Sequence, residues 1–149
     1  MLDCVFLVPI DHRGIQGKLM NNYLNLQSWC HANNSQILTV NGLFLNFARN
    51  YLATGGKGFI DPTPPDAEWL FWIDSDVDFS IEQIEHLLSI PSKNKFVSGW
   101  YRSDYSDHAM VGNWDEDYFR KQHYMPFLSV EWLDKIGKEE PHKLIEVDW

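Results

Sequence analysis

The stretch EWLFWIDSDVDFS, residues 68 to 80, joins an apolar run to three aspartates at alternate positions. Residues 69 to 73 are apolar throughout, which is typical of a strand covered on both faces of a parallel sheet. Ser80 and Gln83 then carry the sequence signature of a capping box, which predicts a helix beginning just after Ser80. Strand, acidic turn and helix in this order indicate one repeat of an α/β fold.

The same alternation of strand and helix runs through the chain before this stretch and directly after it. Strands are predicted at 4 to 8, 36 to 40 and 95 to 101, and helices over 15 to 31 and 42 to 54. Asn41 is placed to cap the second of these helices. We therefore expect an α/β fold with a doubly wound, mostly parallel sheet in a single domain.

The predicted helix over 42 to 54 has two distinct faces. Its apolar face holds Leu43, Phe44, Phe47, Ala48, Tyr51 and Leu52. Asn46, Arg49 and Asn50 form a compact polar group on the other side. Such a group is either a solvated outer face or part of a binding site, and the sequence leaves both open.

Beyond Tyr101 the hydrophobic pattern weakens. Residues 102 to 124 are compatible with two irregular strands or with a loop. The segment SVEWLDKIGK at 129 to 138 predicts a short helix that ends near Gly137. The segment KLIEVDW at 143 to 149 alternates as a strand does.

The acidic composition excludes some classes of partner. The chain has 12 Lys and Arg against 21 Asp and Glu, a formal net charge of −9, and no basic run, which argues against a nucleic-acid partner. A phosphorylated small molecule stays compatible if a divalent metal bridges it to the protein. Cys4 and Cys30 lack metal-binding spacing and predict buried thiols in a reducing, cytoplasmic compartment. The first ten residues suit neither a signal peptide nor a transmembrane segment.

Asp74, Asp76 and Asp78 fall where an open α/β sheet places its ligands, at the carboxyl end of a strand. If this segment stays extended, the three side chains point to one side. Clustered carboxylates repel one another unless a cation compensates them, and oxygen ligands favour Mg²⁺, Mn²⁺ or Ca²⁺. A polar strand end with its charges in water is the alternative.

Two other protein classes carry aspartates in a similar pattern. Five residues fall at positions of an EF-hand calcium loop: Asp74, Asp76, Asp78, Ile81 and Glu85. Phe79, however, stands where that loop needs glycine. Phosphatases of the haloacid-dehalogenase type place an aspartate pair after an apolar strand, with the first aspartate as nucleophile, but Asp78 replaces their usual Thr or Val. Both alternatives stay open.

Five motifs in order give the chain a resemblance to the GT-A glycosyltransferases, particularly small, family-two-like members, some of them viral. They are LVP at 7 to 9, ARN at 48 to 50, FWIDSDVDF at 71 to 79, VSGWY at 97 to 101 and IEVDW at 145 to 149. The resemblance implies the GT-A nucleotide-diphospho-sugar transferase fold. It also implies transfer of a sugar, a hexose in the usual case, from a UDP-sugar or GDP-sugar to an acceptor that the sequence does not identify.

The resemblance further implies roles for individual residues. Asp74 and Asp76, the DxD motif, hold Mn²⁺ or Mg²⁺; Asp76 binds it directly, while Asp74 holds the ribose or the metal. The other donor-binding positions are Pro9, Ile10 and Asp11 beside the base, Arg49, Asn50, Ser75, Gly99 and Trp100. No catalytic residue is assigned.

Family members usually continue past a VDW-like strand into an acceptor-binding segment with a carboxylate base and often a histidine metal ligand. The resemblance therefore implies a donor- and metal-binding part over 1 to 101, a partial acceptor-side part over 102 to 149, and a short carboxyl terminus. With a short acceptor side, we expect hydrolysis of the donor beside transfer of its sugar. The alternative is a module that binds a nucleotide-sugar without efficient transfer. Substitutes for the later residues would come from Asp104, Asp107, His108 and His123.

Overall fold

The computed structural model describes residues 1–42, 44–57, 63–90, 97–99, 108–112, 115–122 and 127–140, and for 108–112 it describes the backbone. The chain divides into two units, Met1–Lys95 and Phe96–Trp149. Among the described helices, none has the length and apolar character needed to cross a bilayer.

A three-stranded parallel sheet forms the centre of the first unit. Strand β1 (Leu2–Ile10) lies between β2 (Gln36–Asn41) and β3 (Ala67–Trp72). Leu7 of β1 is in register with Leu38 on one side and Trp72 on the other. The predicted α/β class with a parallel sheet is thus confirmed.

Helices cover this sheet from both sides. A 3₁₀ turn at Gly17–Leu19 leads into α1 (Met20–Ala32), which shares one face with α3 (Ile81–Ser89). Helix α2 (Leu45–Ala53) packs on the opposite face, over β1 and β2. The chain leaves β1 toward β2 on one side and returns to β3 on the other side of β1, with α1 and α2 on opposite faces of the sheet. The crevice between the carboxyl ends of β1 and β3 is therefore the topological switch point, where such sheets bind ligands.

The alternating side chains of β1 build two separate apolar clusters. Phe6 and Val8 pack with buried Leu26 of α1 and Ile84 of α3. The next residues of the strand, Val5 and Leu7, pack with Leu52 of α2. Cys4 and Cys30 are buried free thiols, as the sequence predicts.

Helix α2 differs from its predicted form. Asn41 does not cap it, because Asn41 is the last residue of β2 and pairs with Ile10 in the parallel ladder. The helix begins at Leu45, and Phe44 occupies the N-cap position without a side-chain hydrogen bond. Its apolar face is also narrower than predicted: Ala48 and Leu52 are buried, whereas the aromatic side chains at 44, 47 and 51 are exposed. Leu43 lies outside the described residues.

The prediction that β3 is covered on both faces is wrong for the described residues. Leu70 and Trp72 are each 41% exposed, and burial alternates along the strand. Their ladder partners, Val5 and Leu7, point to the α2 side of the sheet. Since α2 lies over β1 and β2, it leaves the outer strand uncovered on that side.

Helix α3 begins with the capping box that its sequence predicts. The Gln83 N–H donates to Ser80 Oγ at 3.3 Å, and the Ser80 N–H donates to Gln83 Oε1 at 2.8 Å. These two bonds satisfy donors that no carbonyl in the first helical turn can reach.

We expect Ser80→Ala to lower the free energy of unfolding by about 1 kcal/mol, because it removes the acceptor of the cap. Urea denaturation measures this as a lower midpoint at constant slope. Ser28→Ala is the matched control, since the Ser28 hydroxyl donates to the Leu24 carbonyl inside α1. Alanine at this helical position should not lower the free energy of unfolding. Equal midpoints for Ser80→Ala and the wild type would contradict a stabilising cap.

The second unit contains two strands and two helices among its described residues. Strand β4 (His108–Gly112) pairs antiparallel with β5 (Phe127–Ser129), and α4 (Glu116–Gln122) lies between them in the sequence. Helix α5 (Val130–Glu139) confirms the predicted helix, although it extends two residues beyond Gly137.

Other predictions for the second half have different outcomes. The region over 102 to 124 contains one strand and one helix in its described part, rather than two strands or a loop. Of the strand predicted at 95 to 101, residues 97–99 are described and form no strand. The strand predicted at 143 to 149 lies outside the described residues.

Candidate functional site

The carboxyl ends of β1 and β3 bring several predicted site residues to one edge of the sheet. Pro9 and Ile10 are the last residues of β1, and Asp11 follows them. Asp74 comes two residues after the end of β3. Because the two strands are parallel neighbours, these segments lie side by side at the switch point.

The aspartate segment is a turn, not an extended strand. The Val77 N–H donates to the Asp74 carbonyl at 3.1 Å and closes a turn over residues 74 to 77. The three aspartates were expected to point to one side only if the segment stayed extended, and this condition is not met, because a turn breaks the two-residue periodicity. Within this turn Ser75 is only 4% exposed, and its hydroxyl has no hydrogen bond to another residue in the described part of the chain.

Asp74 forms an ion pair with Arg49 of helix α2. Arg49 Nη2 lies 3.2 Å from both carboxylate oxygens of Asp74, across 25 positions of sequence. Of the polar group on α2, Arg49 is thus directed to the edge of the sheet and is not part of a purely solvated face. Asn46 and Asn50 stay exposed on the same helix.

Asp76 lies near a second arginine, which sequence reasoning missed. Arg13 Nη2 is 3.8 Å from Asp76 Oδ2. The same side chain is held by Asp11, whose two oxygens accept from the Arg13 backbone N–H at 2.8 Å and from its Nε at 2.7 Å. These hydrogen bonds hold the pKa of the Asp11 carboxyl below its usual range.

Asp78 has its own partner on helix α1. Asn22 Nδ2 donates to Asp78 Oδ1 at 2.7 Å. No group of three or more His, Cys, Asp or Glu side chains is arranged to hold a metal ion in the described ranges. Asp74 and Asp76 are therefore the carboxylates left for the predicted metal.

Tyr23 of α1 is hydrogen-bonded to the backbone of the aspartate turn. Its hydroxyl donates to the Asp74 carbonyl at 3.3 Å, and its ring meets Phe79 edge to face with centroids 5.2 Å apart. Burial, followed by the negative charges of Asp74 and Asp76, raises the pKa of Tyr23 to about 12. The neutral phenol is therefore the form that holds the turn.

We expect stability to fall at alkaline pH. Burial raises the pKa of Tyr23 from 10.0 to about 12, of Cys4 from 9.0 to about 12 and of Cys30 from 9.0 to about 11. The folded protein keeps these protons at a pH where the unfolded chain releases them, so their stabilisation is complete below about pH 9 and is lost as pH rises to about 12. Denaturation at a series of pH values should show a loss of about 1 kcal/mol per pH unit for each group that titrates.

The Tyr23→Phe variant isolates the tyrosine in this experiment. It should have a shallower loss of stability above about pH 10, since one of the three protons is gone. The same slope in the variant and the wild type would contradict a buried neutral phenol.

The calcium-loop alternative does not agree with the structure. Strand β3 precedes the aspartates where an EF-hand has a helix, and α3 begins at Ile81, inside the supposed loop. Glu85, the supposed final ligand, accepts a hydrogen bond from Trp29 Nε1 at 2.8 Å. The segment is therefore a strand–turn–helix connection.

The remaining predicted positions lie elsewhere in the chain. Gly99 belongs to the second unit, whose backbone there forms no regular element. Trp100 lies outside the described residues, as do Asp104, Asp107 and His123. His108 is described in its backbone, as the first residue of β4.

Sequence reasoning missed three residues of this edge: Arg13, Asn22 and Tyr23. A signal existed for Arg13, because DHRG directly follows β1 and so had to lie at the ligand-binding edge. A weaker signal existed for Tyr23, because a tyrosine buried on the core side of a helix also needs a hydrogen-bond partner for its phenol. Asn22 gave no signal, since its partner lies 56 positions away.

Comparison with known proteins assigns no family. No family model, curated protein or solved structure matches this chain. The residues at the edge of the sheet therefore indicate the function: two arginines from different elements, the aspartates of one tight turn, and a buried serine in the same turn.

Proposed function

We propose that this protein is a metal-dependent glycosyltransferase of GT-A type, which binds a nucleotide-diphospho-sugar at the carboxyl edge of its sheet. The observation that carries the proposal is the ion pair between Arg49 and Asp74. It joins the ARN and DSD motifs, two of the segments on which the family resemblance rests, at the switch point of the sheet. A cation and a carboxylate turn side by side suit a diphosphate bound together with a metal.

The residues at the turn suit Mn²⁺ or Mg²⁺. The side chains of Asp74 and Asp76 are 34% and 54% exposed and offer hard oxygen ligands. A metal ion can therefore reach these oxygens without displacing core side chains. Such ions commonly take one or two protein carboxylates and complete their shell with phosphate oxygens and water. A bound ion would neutralise the charge that develops on the departing diphosphate.

The formal charge of the edge agrees with a divalent cation. Three carboxylates, those of Asp11, Asp74 and Asp76, stand against the two guanidinium groups of Arg13 and Arg49, which leaves a formal charge of about minus one. This excess draws in a cation but repels a free diphosphate, so metal and donor are expected to bind together.

Each neighbouring residue has a task in this proposal. Arg49 can turn from Asp74 to a phosphate oxygen, where guanidinium and phosphate form charge-assisted hydrogen bonds. The Ser75 hydroxyl, buried and without a partner in the described part of the chain, is available to a ligand oxygen. Pro9, Ile10 and Asp11 border the base of a UDP-sugar or GDP-sugar donor. The acceptor stays unassigned, and a cytoplasmic location rests on the thiols alone.

Titration calorimetry with UDP-, GDP- and other nucleotide-sugars, with and without Mn²⁺, tests the proposal. We expect binding of at least one donor that disappears when EDTA removes the metal. Absence of metal-dependent binding for every donor would overturn it. Release of phosphate from phosphomonoesters would favour the phosphatase, and donor binding without sugar consumption in an acceptor panel would favour a binding module.

A further inference from the structure

A groove lies between helices α1 and α3, next to the aspartate turn. Its volume is about 140 Å³, and it is lined by Asn22, Asn25, Phe79, Ser80, Ile81 and Glu82. Asn22 of this groove also donates to Asp78, directly after the turn. Helices α1 and α3 lie on the face of the sheet opposite α2, so the groove is on the side of the turn away from the helix that carries Arg49.

The volume of the groove limits its ligand to a small molecule. A cavity needs about 10 to 15 Å³ to hold one water, so the groove has room for several waters or for one small ligand. Sites for drug-sized ligands are larger, at about 300 to 1,000 Å³. A single sugar ring is of the right size and would keep part of its surface in water.

The polar side chains of the groove offer more hydrogen-bond acceptors than donors. Asn22 gives its amide N–H to Asp78 at 2.7 Å and keeps its carbonyl oxygen for a ligand. Asn25 is exposed and makes no side-chain hydrogen bond in the described part of the chain, so it offers an oxygen and an amino group. Glu82 adds a carboxylate whose pKa is held below its usual range by hydrogen bonds from its own backbone N–H and from the Ser80 side chain. Hydroxyl groups, which both donate and accept, match this set.

The groove does not suit an anion, although α3 begins there. The backbone N–H groups of residues 82 to 84 already donate to the Glu82 carboxylate, to Ser80 Oγ and to the Ser80 carbonyl. The ionised Glu82 also repels negative charge. A simple ammonium group would use Glu82 but leave the two asparagines without a partner. The matching ligand is therefore neutral and carries several hydroxyl groups.

Phe79 and Ile81 give the groove an apolar wall. Both are half-buried and pack against the core cluster that contains Phe6 and Val8. The Phe79 ring is also held by its edge-to-face contact with Tyr23. A sugar ring has C–H groups on its faces and hydroxyl groups around its rim, so it can pack on this wall while its hydroxyls bond to the polar side chains. Apolar walls with a few polar groups are the usual lining of small-molecule sites.

We propose that this groove binds one neutral monosaccharide unit, with hydroxyl groups on Asn22, Asn25 and Glu82 and C–H groups on the apolar wall. The site is separate from the pair of Arg49 and Asp74. It needs neither a metal nor a nucleotide, so it goes beyond the proposed function and does not depend on it.

Chemical-shift titration of the isotope-labelled protein tests this inference in the absence of metal and nucleotide. The probes are glucose, galactose, mannose and N-acetylglucosamine. At least one of them should shift the side-chain amide signals of Asn22 and Asn25, with a dissociation constant on the order of 1 mM, because the groove is open and few groups hold the ligand. Glucuronate, an anionic sugar of the same size, should bind about tenfold more weakly than the best neutral probe. Glu82→Gln removes the repelling charge and should reduce this difference to about threefold or less.

Asn25→Ala should lower the affinity for the best neutral probe about tenfold, because it removes the amide that has no other partner. Alanine is a good helix former at this exposed position, so the variant should fold. Asn21→Ala is the matched control on the same helix, outside the groove, and should leave the affinity unchanged. Binding of none of the four neutral probes, equal affinities of Asn25→Ala and the wild type, or tighter binding of glucuronate or of cationic glucosamine would each overturn the inference. Failure of every nucleotide-sugar to bind with Mn²⁺ would overturn the proposed function alone.

Discussion

We expect Asp76→Asn to abolish metal-dependent donor binding without unfolding the protein. Its side chain is more than half exposed, and the backbone bond from Val77 to Asp74 closes the turn without it. Removal of one of two metal-binding carboxylates should lower donor affinity in the presence of Mn²⁺ by about a hundredfold or more, since even the loss of groups behind the ligands costs about 10- to 100-fold. Titration calorimetry with the nucleotide-sugar that the wild-type protein binds measures this loss.

The melting temperature of the metal-free variant completes this test. Removal of one negative charge beside Asp74 relieves repulsion, so the temperature should stay the same or rise slightly. Asp134→Asn, an exposed position on α5, is the control and should leave donor binding unchanged. A clearly lower melting temperature for Asp76→Asn would mean that Asp76 has a structural role and would remove this support for a metal site.

The second large effect is expected in the core. Phe6→Ala should lower the free energy of unfolding by about 3 to 5 kcal/mol, a large share of the total for a domain of this size. Phe6 is fully buried in β1. Its ring meets Trp29 edge to face with centroids 5.8 Å apart and Phe71 at 5.3 Å, so truncation leaves a cavity between three elements. Urea denaturation measures the difference.

Phe44→Ala provides a control with the same chemical change. Phe44 is 81% exposed before α2, so its loss should change the free energy of unfolding by less than about 0.5 kcal/mol. Similar effects of the two substitutions would contradict the assignment of Phe6 to the centre of the core.

Much of the fold in the first unit was predictable because its signals are local. Apolar runs gave β1, β2 and β3, and three- and four-residue spacing gave the helices between them. The Ser80 cap was predictable for the same reason, since both partners lie within four residues. The prediction for Asn41 failed because ladder pairing with Ile10, a contact across 31 positions, competes with the local cap.

The candidate site divides in the same way. The position of Asp74 and Asp76 at the carboxyl edge followed from the sequence, because strand direction and the position of a motif after a strand are readable from the chain. Arg49 was a candidate only through the family resemblance, since the pattern of its helix left a solvated face and a binding face equally open. The partners of those residues did not follow. Which arginine meets which aspartate depends on the crossing of α2 over the sheet and on the turn after β1.

The sequence by itself determined the order of strands and helices in the first unit and the presence of an acidic turn after its third strand. Only the tertiary structure decided that the turn separates Asp78 from Asp74 and Asp76, and that α2 leaves Leu70 and Trp72 uncovered. The physical reason is that local patterns set the conformation of short segments, whereas contacts between segments depend on how far each helix extends across the sheet. Those distances arise from packing the whole chain, and no single stretch of sequence contains them.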